Sequence, residues 1–101
     1  MIPQKLLEQI IQKYGETNQL NIVKEEASEL IKSIIKLERA QTQENTESCI
    51  DSVAEEEADM RIMLDQLDII MIKRDSGYRN RVKCETDRKE LRIKKMLGID
   101  E

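Results

Sequence analysis

Ile22-Val23-Lys24-Glu25-Glu26-Ala27-Ser28-Glu29-Leu30-Ile31-Lys32-Ser33-Ile34-Ile35-Lys36-Leu37 is the stretch that decides the fold. On a wheel of about 100° per residue, Ile22, Val23, Ala27, Leu30, Ile31, Ile34 and Leu37 gather on one side, the mark of an amphipathic helix. Glu26 falls at the edge of that arc, between Ile22 and Leu37, with Glu29 one turn on beside it. A second stretch, Ala54-Glu55-Glu56-Glu57-Ala58-Asp59-Met60, has the same character. There Glu56, Asp59, Met63 and Ile70 form one stripe, running beside Val53, Met60, Leu64, Leu67 and Met71. Carboxylates on a buried stripe are costly unless they are paired or hold a metal ion. Two such pairs in one short chain point to a metal-ion site.

Outward from these stretches, composition sets the class. Charged residues make up 38% of the 101 residues and aromatics 2%, with neither Trp nor Phe. A core of Leu, Ile, Val and Met, poor in Gly and Pro, reads as all-α, because β-rich domains favour aromatic and β-branched residues. The length suits a single helical domain over residues 1–101. Helices this amphipathic offer more apolar face than so small a chain can bury, so a second copy is an expected partner.

The net charge of −4 gives no general attraction to phosphate backbones, and no nucleic-acid polymer is expected as a partner. Cations do crowd toward the C-terminal end, from Lys73 to Lys95, but Glu85, Asp87 and Glu90 among them read as a solvated helix face. Cys49 and Cys84 lack metal-type spacing and form no disulfide framework, which fits a cytoplasmic setting. Met1–Leu7 is too short and polar for a signal peptide, and no apolar run reaches membrane-spanning length. The chain has no histidine. That removes Ser/His and Cys/His nucleophilic schemes, His-based zinc sites, and di-iron bundles needing a Glu-x-x-His pair. Carboxylate chemistry remains.

Four helices are expected. Pro3 opens a first one carrying Leu6, Leu7, Ile10, Ile11 and Tyr14, and Gly15 ends it. Thr17 or Asn18 caps a second, running from about residue 18 or 19 to Ala40. Gln41–Glu47 is polar and aperiodic and reads as a loop, with Ser48 capping a third helix that runs to Arg74. Asp75-Ser76-Gly77 stops it, and a fourth helix spans about Tyr78–Leu97. The third helix has a second apolar line, Ala58, Ile62 and Ile69, nearly opposite the first, and so needs two neighbours. The expected architecture is a four-helix bundle-like subunit, a short helix and three longer ones, completed by oligomerisation.

Glu26 with Glu29, and Glu56 with Asp59, each present two carboxylates about one turn apart. If the two helices pack antiparallel, four carboxylates converge, with Glu25 close by. An all-oxygen, histidine-free, anionic set suits Mg²⁺, with Mn²⁺ as a substitute. The bland alternative is a Glu-rich helix surface with no ion at all.

Glu25-Glu26-x-x-Glu29 followed by Glu56-x-x-Asp59 resembles the signature of the MazG-like all-α nucleoside triphosphate pyrophosphohydrolases, which include the dimeric dUTPases and dCTP pyrophosphatases. Tyr14-Gly15, Gln19-Leu20, the run from Glu25 to Lys32, the run from Glu56 to Met63, and Gln66-Leu67 are similar to the short single-domain members from bacteria and phages. The likeness covers about residues 10–72. It implies hydrolysis of a nucleoside triphosphate between the α and β phosphates, serving to clean the nucleotide pool. It also implies Glu26, Glu29, Glu56 and Asp59 as Mg²⁺ ligands, Glu25 as a further catalytic carboxylate, and a homodimer or dimer of dimers. Lys36, Lys32 and Gln19 are candidate substrate contacts, each with a bland reading as surface lysine or helix-start residue. The chain departs from larger relatives in having only Tyr14 and Tyr78 for stacking a base. The rival reading is a non-catalytic helical adaptor whose acidic residues are surface charge only.

Overall fold

A computed structural model describes residues 1–99 and is all-α: α1 (Gln4–Tyr14), α2 (Glu16–Arg39), α3 (Gln43–Arg74) and α4 (Tyr78–Met96), with no strand among the described residues. The short first helix and three longer ones match the expectation. No helix among the described residues is long and apolar enough to cross a membrane.

One residue separates α1 from α2. Gly15 has φ +89°, a left-handed conformation that costs glycine least, and nothing would meet a Cβ there, so its backbone angle alone argues for glycine. Its N–H donates to Ile11 O (2.8 Å) and closes α1, while its carbonyl accepts from Gln19 N (3.1 Å) and opens α2. α2 thus begins at Glu16, ahead of the expected caps Thr17 and Asn18, which lie inside its first turn.

The largest departure is the start of α3. The polar stretch read as a loop is mostly helical, and the cap is Thr42, whose Oγ1 accepts from Asn45 N at 3.1 Å. Polarity misled here, because Gln and Glu are good helix formers with no core-facing stripe to announce them. Gln43 Nε2 donates to Glu47 at 3.4 Å, one helical turn apart, a local pair that supports the extra turn. Ser48 lies inside the helix, its carbonyl accepting from Ser52 Oγ at 3.2 Å. The 32-residue helix is consequently about 48 Å long at the standard rise.

The chain forms two compact units, Met1–Ile69 and the part from Ile70 onward, so the boundary falls within α3. In the first unit, α1 lies against α2, and the buried residues are Leu7, Ile11, Met63 and Ile69 together with the polar Gln19, Ser33 and Gln66. Of the second apolar line on α3, Ile69 is buried and Ile62 half-buried, and Ala58 and Ile62 share an open groove with Met1 and Ile2. In the second unit, Asp75 accepts from Gly77 N at 3.0 Å and pairs with Arg81, which fixes the turn into α4. Both contacts hold the Asp75 carboxyl below its ordinary range, the Gly77 N–H being the larger cause. α4 buries none of its residues.

Candidate metal centre

Two contacts between α2 and α3 fix how these helices run. Gln19 Nε2 donates to Gln66 Oε1 at 2.6 Å, and Glu26 shares a carboxylate cluster with Glu56 and Asp59. From Gln19 to Glu26 is seven residues forward on α2, and from Gln66 to Asp59 is seven residues backward on α3. Seven residues is close to two turns, about 10.5 Å, so each helix returns to the same face. The helices are therefore antiparallel here, with a seam whose polar residues stand two turns apart. Ser33, seven residues beyond Glu26, continues the row on α2; it is buried and donates to Leu30 O at 2.8 Å.

Glu26, Glu56 and Asp59 are half-buried, and one carboxylate oxygen from each lies within 4.8 Å of the others. α3 supplies two of them because Glu56 and Asp59 stand three residues apart on one face. The carboxyl of Glu26 is held above its ordinary value, first by burial, then by the charges of Asp59 and Glu56, by a hydrogen bond with Glu56, and by the charge of Glu29. Three acidic groups crowded into partly dehydrated space repel one another, and a proton or a cation relieves that.

The donor set fits a hard divalent cation. It offers oxygen only, with no nitrogen or sulfur. Around an octahedral Mg²⁺ neighbouring oxygens stand about 3.0 Å apart and opposite ones about 4.2 Å, so the three carboxylates would draw together on such an ion by side-chain movement.

The other expected site residues fall into different places. Glu29 is exposed and outside the trio, yet close enough to raise the Glu26 carboxyl; its own carboxylate meets Lys32 Nζ at 3.5 Å. Lys32 is thus an exposed lysine held by Glu29, while Glu25 and Lys36 are exposed on α2. Gln19 is buried to 2% exposure, with its amide engaged by Gln66 and, through Asn18 Nδ2 at 3.2 Å, by its neighbour. That engagement orients the two helices and leaves the Gln19 amide turned inward. Gln66 was missed as a structural partner. The signal was available: Gln66 lies on the stripe of Glu56, Asp59, Met63 and Ile70, seven residues from Asp59, as Gln19 is seven from Glu26. Cys49 is half-buried and Cys84 exposed, both as free thiols away from the cluster's ligand set.

No protein-family model, curated protein or solved structure matches the chain.

Proposed function

We propose that the chain is a Mg²⁺-dependent nucleoside triphosphate pyrophosphohydrolase of the MazG-like kind, with Glu26, Glu56 and Asp59 at the heart of its metal site. The convergence of these three carboxylates from two antiparallel helices is the observation that carries the reading. Glu26 lies 30 residues from Glu56 and 33 from Asp59, so no local rule brings it to them.

A bound Mg²⁺ would clamp polyphosphate oxygens, offset the charge developing on the leaving group and acidify an attacking water. The reaction adds water at the α-phosphorus and breaks the bond to the bridging oxygen, giving a monophosphate and pyrophosphate. The chain's own part is positional. Glu56 and Asp59 stand on one rigid helix, and the buried Gln19–Gln66 pair sets the register that brings Glu26 opposite them. Glu29, one turn from Glu26 and exposed, would join the ligand set on leaving Lys32, and the exposed Glu25 would serve as the further catalytic carboxylate. Lys36 and Lys32, both exposed on α2, would contact phosphate oxygens.

A homodimer or dimer of dimers belongs to the same proposal. It is supported by Ile31, Ile34 and Ile35, which stay exposed on α2. Such a face gains from burial at about 25 cal/mol per Å².

The test is a product assay: purified protein, Mg²⁺ and each of several standard and modified nucleoside triphosphates, with products separated by ion exchange. Monophosphate with pyrophosphate, lost in Glu56→Gln, is expected. Diphosphate with free phosphate would mean a different bond is cut. No turnover, together with no Mg²⁺-dependent rise in melting temperature, would favour the non-catalytic adaptor.

A further inference from the structure

Charge is distributed very unevenly along the chain. Residues 43–60, the first half of α3, hold seven carboxylates and no cation, whereas α4 holds eight cations against three carboxylates. Each stretch also leaves apolar side chains in solvent. On α3, Ile50 is 52% exposed and Ala54 is exposed beside it, one turn on, flanked by exposed Glu47, Asp51 and Glu55. On α4, Leu91 is 56% exposed and lies with Arg88, Arg92 and Lys95 around a shallow groove of about 270 Å³. The two surfaces match in form as well as sign. Glu47, Asp51 and Glu55 step by four residues, as do Arg88 and Arg92, a spacing of about 6 Å on either helix.

We propose that the Leu91 groove of α4 docks on the Ile50–Ala54 face of α3 in a second copy of this chain. Leu91 packs against the small apolar step, and the cations beside it meet the acidic ladder that runs along one side of that step. Two other occupants fit less well. A phosphate backbone could use only the cations of this groove. It would also gain nothing from Leu91. A lipid surface needs one broad apolar face, but Leu91 lies on the opposite side of α4 from Val82 and Ile93. This contact uses neither the carboxylate cluster nor the Ile31–Ile35 ridge, and it stands or falls independently of the proposed reaction.

The test is sedimentation velocity on the full chain and two charge-reversed variants, Arg88→Glu/Arg92→Glu/Lys95→Glu and Glu47→Lys/Asp51→Lys/Glu55→Lys. All six positions are exposed, and far-ultraviolet circular dichroism checks that helicity is kept; the milder pair Arg92→Glu and Asp51→Lys repeats the design if it is not. Wild type should associate at about 50 mM salt and weaken at about 0.5 M, where screening shortens to a few ångströms. Each variant alone should associate on the order of 100-fold more weakly, and an equimolar mixture of the two should regain the wild-type mass, since the swap restores both contacts. Equal masses for wild type and variants, or no recovery on mixing, would overturn the proposal. So would wild-type binding to phosphatidylserine vesicles or single-stranded RNA that is lost on α4 reversal without any recovery by the mixture.

Discussion

The α2–α3 seam and α4 are built from the same kinds of residue and do opposite things with them. In the seam, polar side chains are buried and find partners far away in sequence: Gln19 with Gln66, and Glu26 with Glu56 and Asp59. In α4 the ion pairs within the helix join residues three or four apart, and no residue is buried. Distant pairing fixes a fold, because a wrong register leaves buried groups without partners at a cost of about 1–3 kcal/mol each. Local pairs of the α4 kind add only about 0.2–0.5 kcal/mol apiece and say nothing about what packs where. Even the shifted carboxyls divide this way. Glu26 is pushed up by crowding in the seam, and Asp75 is pulled down by the N–H and guanidinium that start α4.

The contrast can be broken most forcefully in the core. Ile11→Ala, at a position with 2% exposure, should cost about 2–5 kcal/mol in urea denaturation, whereas Ile93→Ala on α4 should change stability by less than about 0.5 kcal/mol. Equal effects would mean that α4 is packed after all. Next in size is Gln66→Leu, which strands the Gln19 amide and should cost about 1–3 kcal/mol. The double variant Gln19→Leu/Gln66→Leu should recover most of that loss, because an apolar pair leaves nothing unsatisfied; a doubled loss would deny the pairing.

Smaller effects sharpen the electrostatic half. The raised Glu26 carboxyl favours the folded state while protonated, so its contribution is present below the ordinary carboxylate pKa and is lost as pH rises through the folded value. Metal-free Glu26→Gln should therefore be more stable than wild type near neutral pH, by about 0.5 kcal/mol once solvent screening is allowed for, with the gain shrinking toward pH 4. Loss of stability at neutral pH would show that the crowding is not repulsive. Asp75 has the reverse sign: its contribution is present above the ordinary value and lost as pH falls through the lowered one. Amide exchange at Gly77 and Tyr78 should quicken in Asp75→Asn at neutral pH and approach wild-type behaviour in acid, the smallest change of the set.

Much of this was readable in the residues themselves. The placement of Glu26 on one apolar stripe, and of Glu56 and Asp59 on another, brings three of the four expected carboxylates together, since apolar periodicity fixes which face of each helix turns inward, while Glu29 stays outside the trio. The beginning of α3 was not readable, because a solvated turn held by Thr42 and a Gln43–Glu47 pair has no apolar rhythm to betray it. The partner of Gln19 was harder to read for a related reason. A glutamine at a helix start looks solvent-facing until its partner is known, and that partner lies 47 residues away. Glu29 and Glu25 mark the edge of what spacing conveys: the one-turn rule puts Glu29 beside Glu26, but which rotamer it keeps depends on Lys32.

Whether Glu26, Glu56 and Asp59 hold a divalent cation is tested most directly by titration with Mn²⁺ followed by electron paramagnetic resonance, with no nucleotide present. Saturable binding that Mg²⁺ displaces, and that disappears in Glu56→Gln and Asp59→Asn variants of unchanged helicity, is the predicted result. Binding that is absent in wild type, or that survives both substitutions, would mean that these three carboxylates hold no ion.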